Sequence, residues 1–461
     1  MDVLAPPPCY RRYSRGQAPH TTDLLPAYSR RHRDNREASS SRREPTEHTF
    51  ELTDSKSKPW CTLKLYSSAK SSKSLPTFFE KEKITGKLDL VAERGDSIQA
   101  VTATVTGSII SGASSSESFV FLNQTLPIWS KCLDIPRVPS PSEGASSSKL
   151  IGRCEWPLSI PLPRTVDIPT ASGDVRTYRL PETFLERYTS VSIQYNLTIV
   201  ISRGKLRSDN VIKTAFGYVP STRPEPPSLL RQLAYQENLP LPDPATDPEG
   251  WKTLRPVSVR GFMFKTRPVE ARCTLSISRP LCYTRGSVLP CFLTLEGREP
   301  SILDVLAFPN APTLKLRRRV RFFNRNASSA ASSGKLKEVA WNESVDDVGT
   351  AVWWQPPNAR GDESEYVRHL EGEIKLTKDL RPSSEIAHFS VSYSVVLLPF
   401  KAANYTSDST PLLSEPVEIA TMHAKGPRPN AYAPPAYDGS TSRPPATGQV
   451  DEPHGFFCPM I

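Results

Sequence analysis

The chain is 461 residues long, room for two or three domains, and 58 lysines and arginines against 48 aspartates and glutamates give it a formal charge of +10. Proline supplies 46 residues, roughly twice the usual share of about 5%. Because proline cannot donate to a helix or a sheet ladder, this excess argues against a helical protein and for loops and extended tails. The positive surplus suits an anionic partner but is too dilute for a nucleic-acid binder, and no nucleic-acid partner is expected.

Residues 1–10 lack a cationic segment followed by an apolar one, so no secretory signal is expected. No stretch approaches the roughly 18 consecutive apolar residues of a membrane-spanning helix. Eight cysteines are scattered without a CxxC pair, and Cys282 and Cys291, which share one segment, are nine apart. No metal or other cofactor is expected, and the chain reads as a soluble protein of a reducing compartment.

Residues 1–57 read as a disordered tail, opened by Pro6-Pro7-Pro8, crowded with arginine and poor in aliphatic residues after Leu25. From about Trp60 the texture changes to alternation. Leu63 and Leu65 flank Lys64, and Val101, Ala103 and Val105 alternate with threonines. Residues 193–199, Ile-Gln-Tyr-Asn-Leu-Thr-Ile, are apolar at every odd position. A period of two means a strand with one buried and one wet face. Turn residues such as Gly95-Asp96 and Ser172-Gly173-Asp174 separate these runs, with no helical periodicity between them. That spacing points to an antiparallel sandwich at 58–220.

A proline-rich linker follows at 221–254. Within it, residues 228–236 fit a short helix capped by Ser228, with Leu229, Leu230 and Leu233 at helical spacing. Alternation returns in a second block at 255–422, for example at Cys273, Leu275 and Ile277, and at Phe389, Val391, Tyr393, Val395 and Leu397 with serines between. Beyond it, 423–461 has tail composition again. The fold class is therefore all-β, two immunoglobulin-like β-sandwich domains between disordered N- and C-terminal tails.

One strand of the second block is strongly cationic: Leu314-Lys315-Leu316-Arg317-Arg318-Arg319-Val320-Arg321-Phe322. Alternation puts Lys315, Arg317, Arg319 and Arg321 on one face and leaves Arg318 on the apolar face, where it must pair or snorkel. Four aligned cations fit anionic lipid head groups or an acidic cytoplasmic tail; as a bare sheet face they would guard against edge aggregation.

The order of these segments resembles that of the arrestin fold. Leu75-Pro76-Thr77-Phe78-Phe79-Glu80, Ile84-Thr85-Gly86 and residues 98–107 resemble the opening of an arrestin N-domain. Trp156-Pro157-Leu158-Ser159-Ile160-Pro161-Leu162-Pro163, then Leu180-Pro181-Glu182-Thr183-Phe184 and residues 192–202, resemble its closing half. Residues 257–264 and 269–277 and Tyr283-Thr284-Arg285-Gly286-Ser287 resemble the start of the C-domain, and Pro411-Leu412-Leu413-Ser414-Glu415-Pro416-Val417 its last strand. The resemblance is closest to fungal arrestin-related (α-arrestin) proteins and covers roughly 58–422. It supplies no polar-core residues that can be carried over to this chain.

The sharpest motifs lie in the tails. Pro434-Pro435-Ala436-Tyr437 and Pro7-Pro8-Cys9-Tyr10 both match PPxY, and Leu25-Pro26-Ala27-Tyr28 is an LPxY variant. Adjacent prolines hold a polyproline II conformation with little ordering entropy and present their rings to an aromatic groove, the shape that WW domains read. Each tyrosine adds a large apolar face and a hydroxyl. The resemblance implies that such motifs recruit HECT-type ubiquitin ligases to plasma-membrane transporters or receptors, with ubiquitin transferred for endocytosis and the adaptor itself often ubiquitylated. It also implies a cytoplasmic protein recruited to plasma membrane and endosomes.

The last four residues, Cys458-Pro459-Met460-Ile461, have the C-a-a-X layout of a prenylation site, which would anchor reversibly when a second signal such as a basic patch assists. A lipid-anchored signalling or sorting scaffold is the alternative reading. Catalysis has no support: HExxH, the Walker loop, G-x-S-x-G and the dinucleotide fingerprint are all missing, and a non-enzymatic adaptor is expected.

Overall fold

The computed structural model describes residues 44–92, 97–111, 118–131, 150, 152–170, 173–187, 189–204, 207–323, 341–356 and 364–434. Over these residues the protein is all-β, with 24 strands and two short helices.

The first block runs through β1 (Thr46–Thr53), β2 (Pro59–Ser67), β3 (Thr77–Phe79), β4 (Lys83–Ala92), β5 (Ile98–Ser111), β6 (Ser118–Ser130), β7 (Gly152–Pro161), β8 (Thr165–Pro169), β9 (Val175–Arg179), β10 (Phe184–Leu185), β11 (Val191–Arg203) and β12 (Asn210–Val219). One sheet has the order β1-β2-β4-β7 and a second the order β3-β12-β11-β5-β6, with β10 also on β11 and β8-β9 as a separate ribbon. The alternation that marks residues 193–199 is realised in β11, whose odd positions from Val191 to Ile201 are all buried. Leu63, Leu65, Ile84 and Leu88 of the first sheet join Val101, Val105, Leu197 and Ile199 of the second in one buried cluster, so apolar burial holds the two sheets together.

Strand β1 corrects the N-terminal boundary. Residues 46–53 belong to the fold, not to a tail, because they pair antiparallel along the whole of β2, from Thr46 opposite Ser67 to Thr53 opposite Pro59. Phe50 and Leu52 pack on the core, and buried His48 bonds to Ser67 Oγ at 2.9 Å.

The linker helix α1 (Leu229–Glu237) forms where its cap predicts: Ser228 Oγ accepts from the Arg231 amide, and Asn238 closes the helix with a left-handed φ of 58°. Its packed face differs from the leucine stripe. Arg231, Ala234 and Tyr235 are buried, whereas Leu229, Leu230 and Leu233 are exposed, Leu229 by 82%. The reason is aromatic: the Arg231 guanidinium stacks 4.6 Å from the Trp251 ring and donates to the Arg279 carbonyl.

The second block comprises β13 (Trp251–Thr253), β14 (Val257–Met263), β15 (Arg267–Ser278), β16 (Cys282–Thr284), β17 (Val288–Glu296), helix α2 (Pro300–Leu306), β18 (Thr313–Phe323), β19 (Trp341–Trp354), β20 (Val367–Lys375), β21 (Ser384–Ile386), β22 (Phe389–Leu398), β23 (Tyr405–Thr406) and β24 (Leu413–Ala420). All twelve strands form one curled sheet, β16-β24-β22-β18-β19-β20-β17-β15-β14-β23 with β13 on β15 and β21 on β22. The long strand β19 pairs with β18 over residues 341–350 and with β20 over 351–354. A strand that changes partner midway is how a sheet turns a corner. Gly372 sits inside the corner, where a Cβ would come within 2.4 Å of the Trp353 ring.

The chain does not leave the body at residue 423. The linker and the end of β24 are joined by reciprocal bonds, the Thr222 amide to Thr421 Oγ1 and the Thr421 amide to Thr222 Oγ1, both at 3.0 Å. Residues 423–434 then run across α1, so the tail drawn from 423 begins too early. Arg223 donates to the His423 carbonyl, Asn430 Nδ2 to the Tyr235 carbonyl, and the Tyr432 amide to Glu373 Oε2 at 2.9 Å.

Candidate functional site

Two charged constellations dominate the second block, and both are built on β18. On its outer face Lys315, Arg317, Arg319 and Arg321 lie in line, as alternation requires. They are not bare. Asp347 on β19 takes Lys315 Nζ and Arg317 Nε, both at 2.9 Å, and Glu343 takes Arg319 Nε at 3.1 Å and Arg321 Nε at 3.6 Å. Arg321 also stands 5.3 Å from the centre of the Trp341 ring. Four cations share two carboxylates, so the row keeps a positive surplus. The hydrogen bonds from Arg317 and Lys315 hold the Asp347 carboxyl below its usual range, against a smaller effect of burial.

The second constellation joins the two blocks. Arg318, on the opposite face of β18, reaches across to Glu186 at 2.8 Å and to Asp346 at 3.1 Å. Arg285, at the turn after β16, donates to both oxygens of Glu182 at 3.0 and 3.2 Å and to the Leu380 carbonyl at 3.2 Å. Arg381 completes the set, 3.8 Å from Glu182 and 3.6 Å from Glu186. Burial pushes the Glu182 carboxyl above the usual carboxylate range, opposed by the charges of Arg285 and Arg381. Aromatic contacts flank the charges: Phe184 meets Phe389 with ring centres 5.1 Å apart, and Phe119 meets His388 edge-on at 4.5 Å. The local sequence explains the placement. Phe184 lies in the two-residue strand β10, with Glu182 two positions before it and Glu186 two after, and all three meet residues of the second block.

A third charged cluster clasps the first block. Glu80, just after β3, accepts from Arg164 Nε at 2.7 Å, Arg179 Nη2 at 2.5 Å and the Ser221 amide at 2.8 Å. Burial works to raise its pKa, but Arg179, the Ser221 amide and Arg164 outweigh it and hold it below the usual range. The buried cysteines point away from reactivity: burial pushes the Cys61 and Cys273 thiols up to about 12.

The sequence-predicted motifs fall largely elsewhere. Pro7, Pro8, Tyr10, Leu25, Pro26, Tyr28, Pro435, Tyr437 and Cys458 lie outside the described residues. Pro434 is the last residue described, half-buried at the end of the segment that crosses α1. Among the described residues no group of three or more His, Cys, Asp or Glu side chains could hold a metal ion, and no helix is long and apolar enough to cross a membrane.

No protein-family model matches the chain, and a search of the curated proteins found no match.

What this geometry can do is hold and recognise. The junction of Glu182, Glu186 and Asp346 with Arg285, Arg318 and Arg381 balances three charges against three and fastens one block to the other. The outer row of β18 offers its surplus charge to solvent. The junction escapes a reading of the sequence because Arg318 and Glu186 are 132 positions apart; the one available signal is an arginine standing in an apolar register.

Proposed function

We propose that the protein is a non-enzymatic adaptor of the arrestin-related kind, its two β blocks serving as immunoglobulin-like sandwich domains that recognise a plasma-membrane transporter or receptor. The tail motifs bring a HECT-type ubiquitin ligase through its WW domains, and ubiquitin passes from ligase to cargo because the two are held close together. The adaptor works from the cytoplasmic face and contributes no reacting group. The observation that carries this reading is the placement of two full PPxY motifs, ending at Tyr10 and Tyr437, on either side of one continuous strand-rich body. Motifs at both ends, with the LPxY variant at Tyr28, raise the effective concentration against a ligase that carries several WW domains. The positive surplus along Lys315, Arg317, Arg319 and Arg321 supports contact with anionic lipid or with an acidic cargo tail.

The test is capture of this chain by the tandem WW domains of a HECT-type ligase, wild type beside Tyr10→Ala with Tyr437→Ala. Binding by the wild type and its loss in the double variant is expected. A wild type that does not bind would end the ligase reading and turn attention to Cys458 and a lipid-anchored scaffold.

A further inference from the structure

The C-terminal PPxY begins at Pro434, only two residues beyond Tyr432, and Tyr432 is docked on the body. Its amide donates to Glu373 Oε2 at 2.9 Å, and its ring stacks on Tyr235 of α1 with centres 6.4 Å apart and planes inclined by 24°. Glu373 is itself buried in β20, which makes it a fixed anchor. Two residues earlier, Asn430 Nδ2 is shared between the Tyr235 carbonyl at 3.0 Å and Asn238 Oδ1 at 2.8 Å, so this side chain ties down the C-terminal end of α1. Gly426, with φ of 107°, turns the segment over Gln232, and a Cβ there would lie 3.1 Å from the Gln232 side-chain oxygen.

Residues 423–434 are thus held by separate points rather than by a sheet ladder. A ladder-free segment fixed by a few hydrogen bonds belongs to the least stable parts of a fold, the parts that open while the rest stays intact. The α1 helix beneath it is secured independently, by Arg231 on Trp251 and by Ser228 Oγ, which bonds to Asp247 Oδ2 at 2.5 Å. The segment can therefore lift off without unfolding what it covers.

We propose that residues 423–434 act as a strap that restricts the C-terminal PPxY, so that a WW domain gains full access to it only when Tyr432 and Asn430 release the body. This rests on the reading of 434–437 as a WW ligand. Two residues of extended chain span at most about 7 Å, and a WW domain is a folded module far wider than that. It must grip the prolines on its aromatic groove, and it meets the Tyr235–Glu373 surface before it can close on them. Binding is then coupled to strap release, and the apparent affinity is reduced by the fraction of molecules in which the strap is open. Any event that favours the open strap raises ligase recruitment without altering the motif.

The experiment uses the full chain carrying Tyr10→Ala and Tyr28→Ala, so that the C-terminal motif alone is read, and a single WW domain from a HECT-type ligase. A synthetic peptide of residues 428–442 serves as the unrestrained reference. The chain is expected to bind about tenfold more weakly than the peptide, and Tyr432→Ala in both should bring them within about twofold of each other. Asn430→Ala is a second, milder opening and should move the ratio in the same direction. Hydrogen exchange gives an independent readout: the Tyr432 amide should be protected in the free chain and lose protection when the WW domain saturates it. Equal affinities of parent chain and peptide, or a Tyr432 amide that stays protected in the complex, would overturn the strap while leaving the WW reading intact. A peptide that does not bind would overturn both.

Discussion

Arg318 and Arg319 are neighbours on β18, each paired with carboxylates at about the same distance, yet they work in different surroundings. Arg319 is 53% exposed and its partner Glu343 is 39% exposed; Arg318 is only 15% exposed and reaches Glu186 on the other β block. At the Glu343 end of the outer row, water and salt screen the pairs with Arg319 and Arg321, and the geometry contributes little to stability. At the junction Glu182, Arg285 and Arg318 are largely out of water, and removing Glu182 leaves Arg285 stranded. Alternation of a single strand therefore sends one arginine row to the surface, where its surplus charge is available to a partner, and one arginine inward to secure the arrangement of the blocks.

The sharpest way to break this contrast is to remove a junction carboxylate. Glu182→Ala strands Arg285, while Arg381 keeps Glu186, and is expected to cost about 3 kcal/mol in urea unfolding. Replacing Glu182 and Arg285 together by apolar residues of similar volume should cost much less than that single change, because no charge is then left without its counterpart. If the single variant is as stable as wild type, the junction is no more than another surface pair and the contrast falls.

The two constellations were unequally legible in the sequence. Period-two alternation located most strands and placed Lys315, Arg317, Arg319 and Arg321 on one face, because which face a strand residue occupies is a local property. It also flagged Arg318 as needing a partner. The partner itself could not be read, since pairing across 132 positions depends on how two blocks meet and leaves no periodic trace. Strand β1 was hidden for a related reason. Its one buried residue is His48, a polar side chain, and its place comes from pairing along β2. Residues 423–434 read as tail because proline content is high, while Asn430 and Tyr432, which dock the segment, are ordinary residues whose contacts lie in α1 and β20.

Acidity distinguishes the same two regions by sign. Glu182 has a folded-state pKa above its usual value of about 4.3. The folded protein therefore takes up that proton more readily than the unfolded chain, and this group adds stability as pH falls from above its folded pKa toward 4.3. Asp347 is shifted the other way: its contribution is fully present above about 3.9 and is lost as pH falls through its lower folded pKa. Unfolding free energies measured from pH 7 to pH 3 should show Glu182→Gln losing the gain in the upper window and Asp347→Asn losing the decline in the lower one. Parallel profiles for the two variants would contradict the difference in environment.

The smallest effect on stability belongs to the outer row, and there a second quantity has to move instead. Arg319→Ala and Arg321→Ala each remove one cation that shares Glu343 with the other, so the remaining arginine keeps its partner. Exposed pairs of this kind contribute about 0–1 kcal/mol, and the unfolding free energy should fall by no more than that. Attraction to an anionic surface runs at about 1 kcal/mol per cation, so cosedimentation with phosphatidylserine-containing vesicles should weaken roughly fivefold for each substitution and should weaken further as salt is raised. Stability lost on the scale of Glu182→Ala would show that the outer row is structural after all. Vesicle binding unchanged in both variants would show that the surplus charge of β18 does not contact an anionic surface.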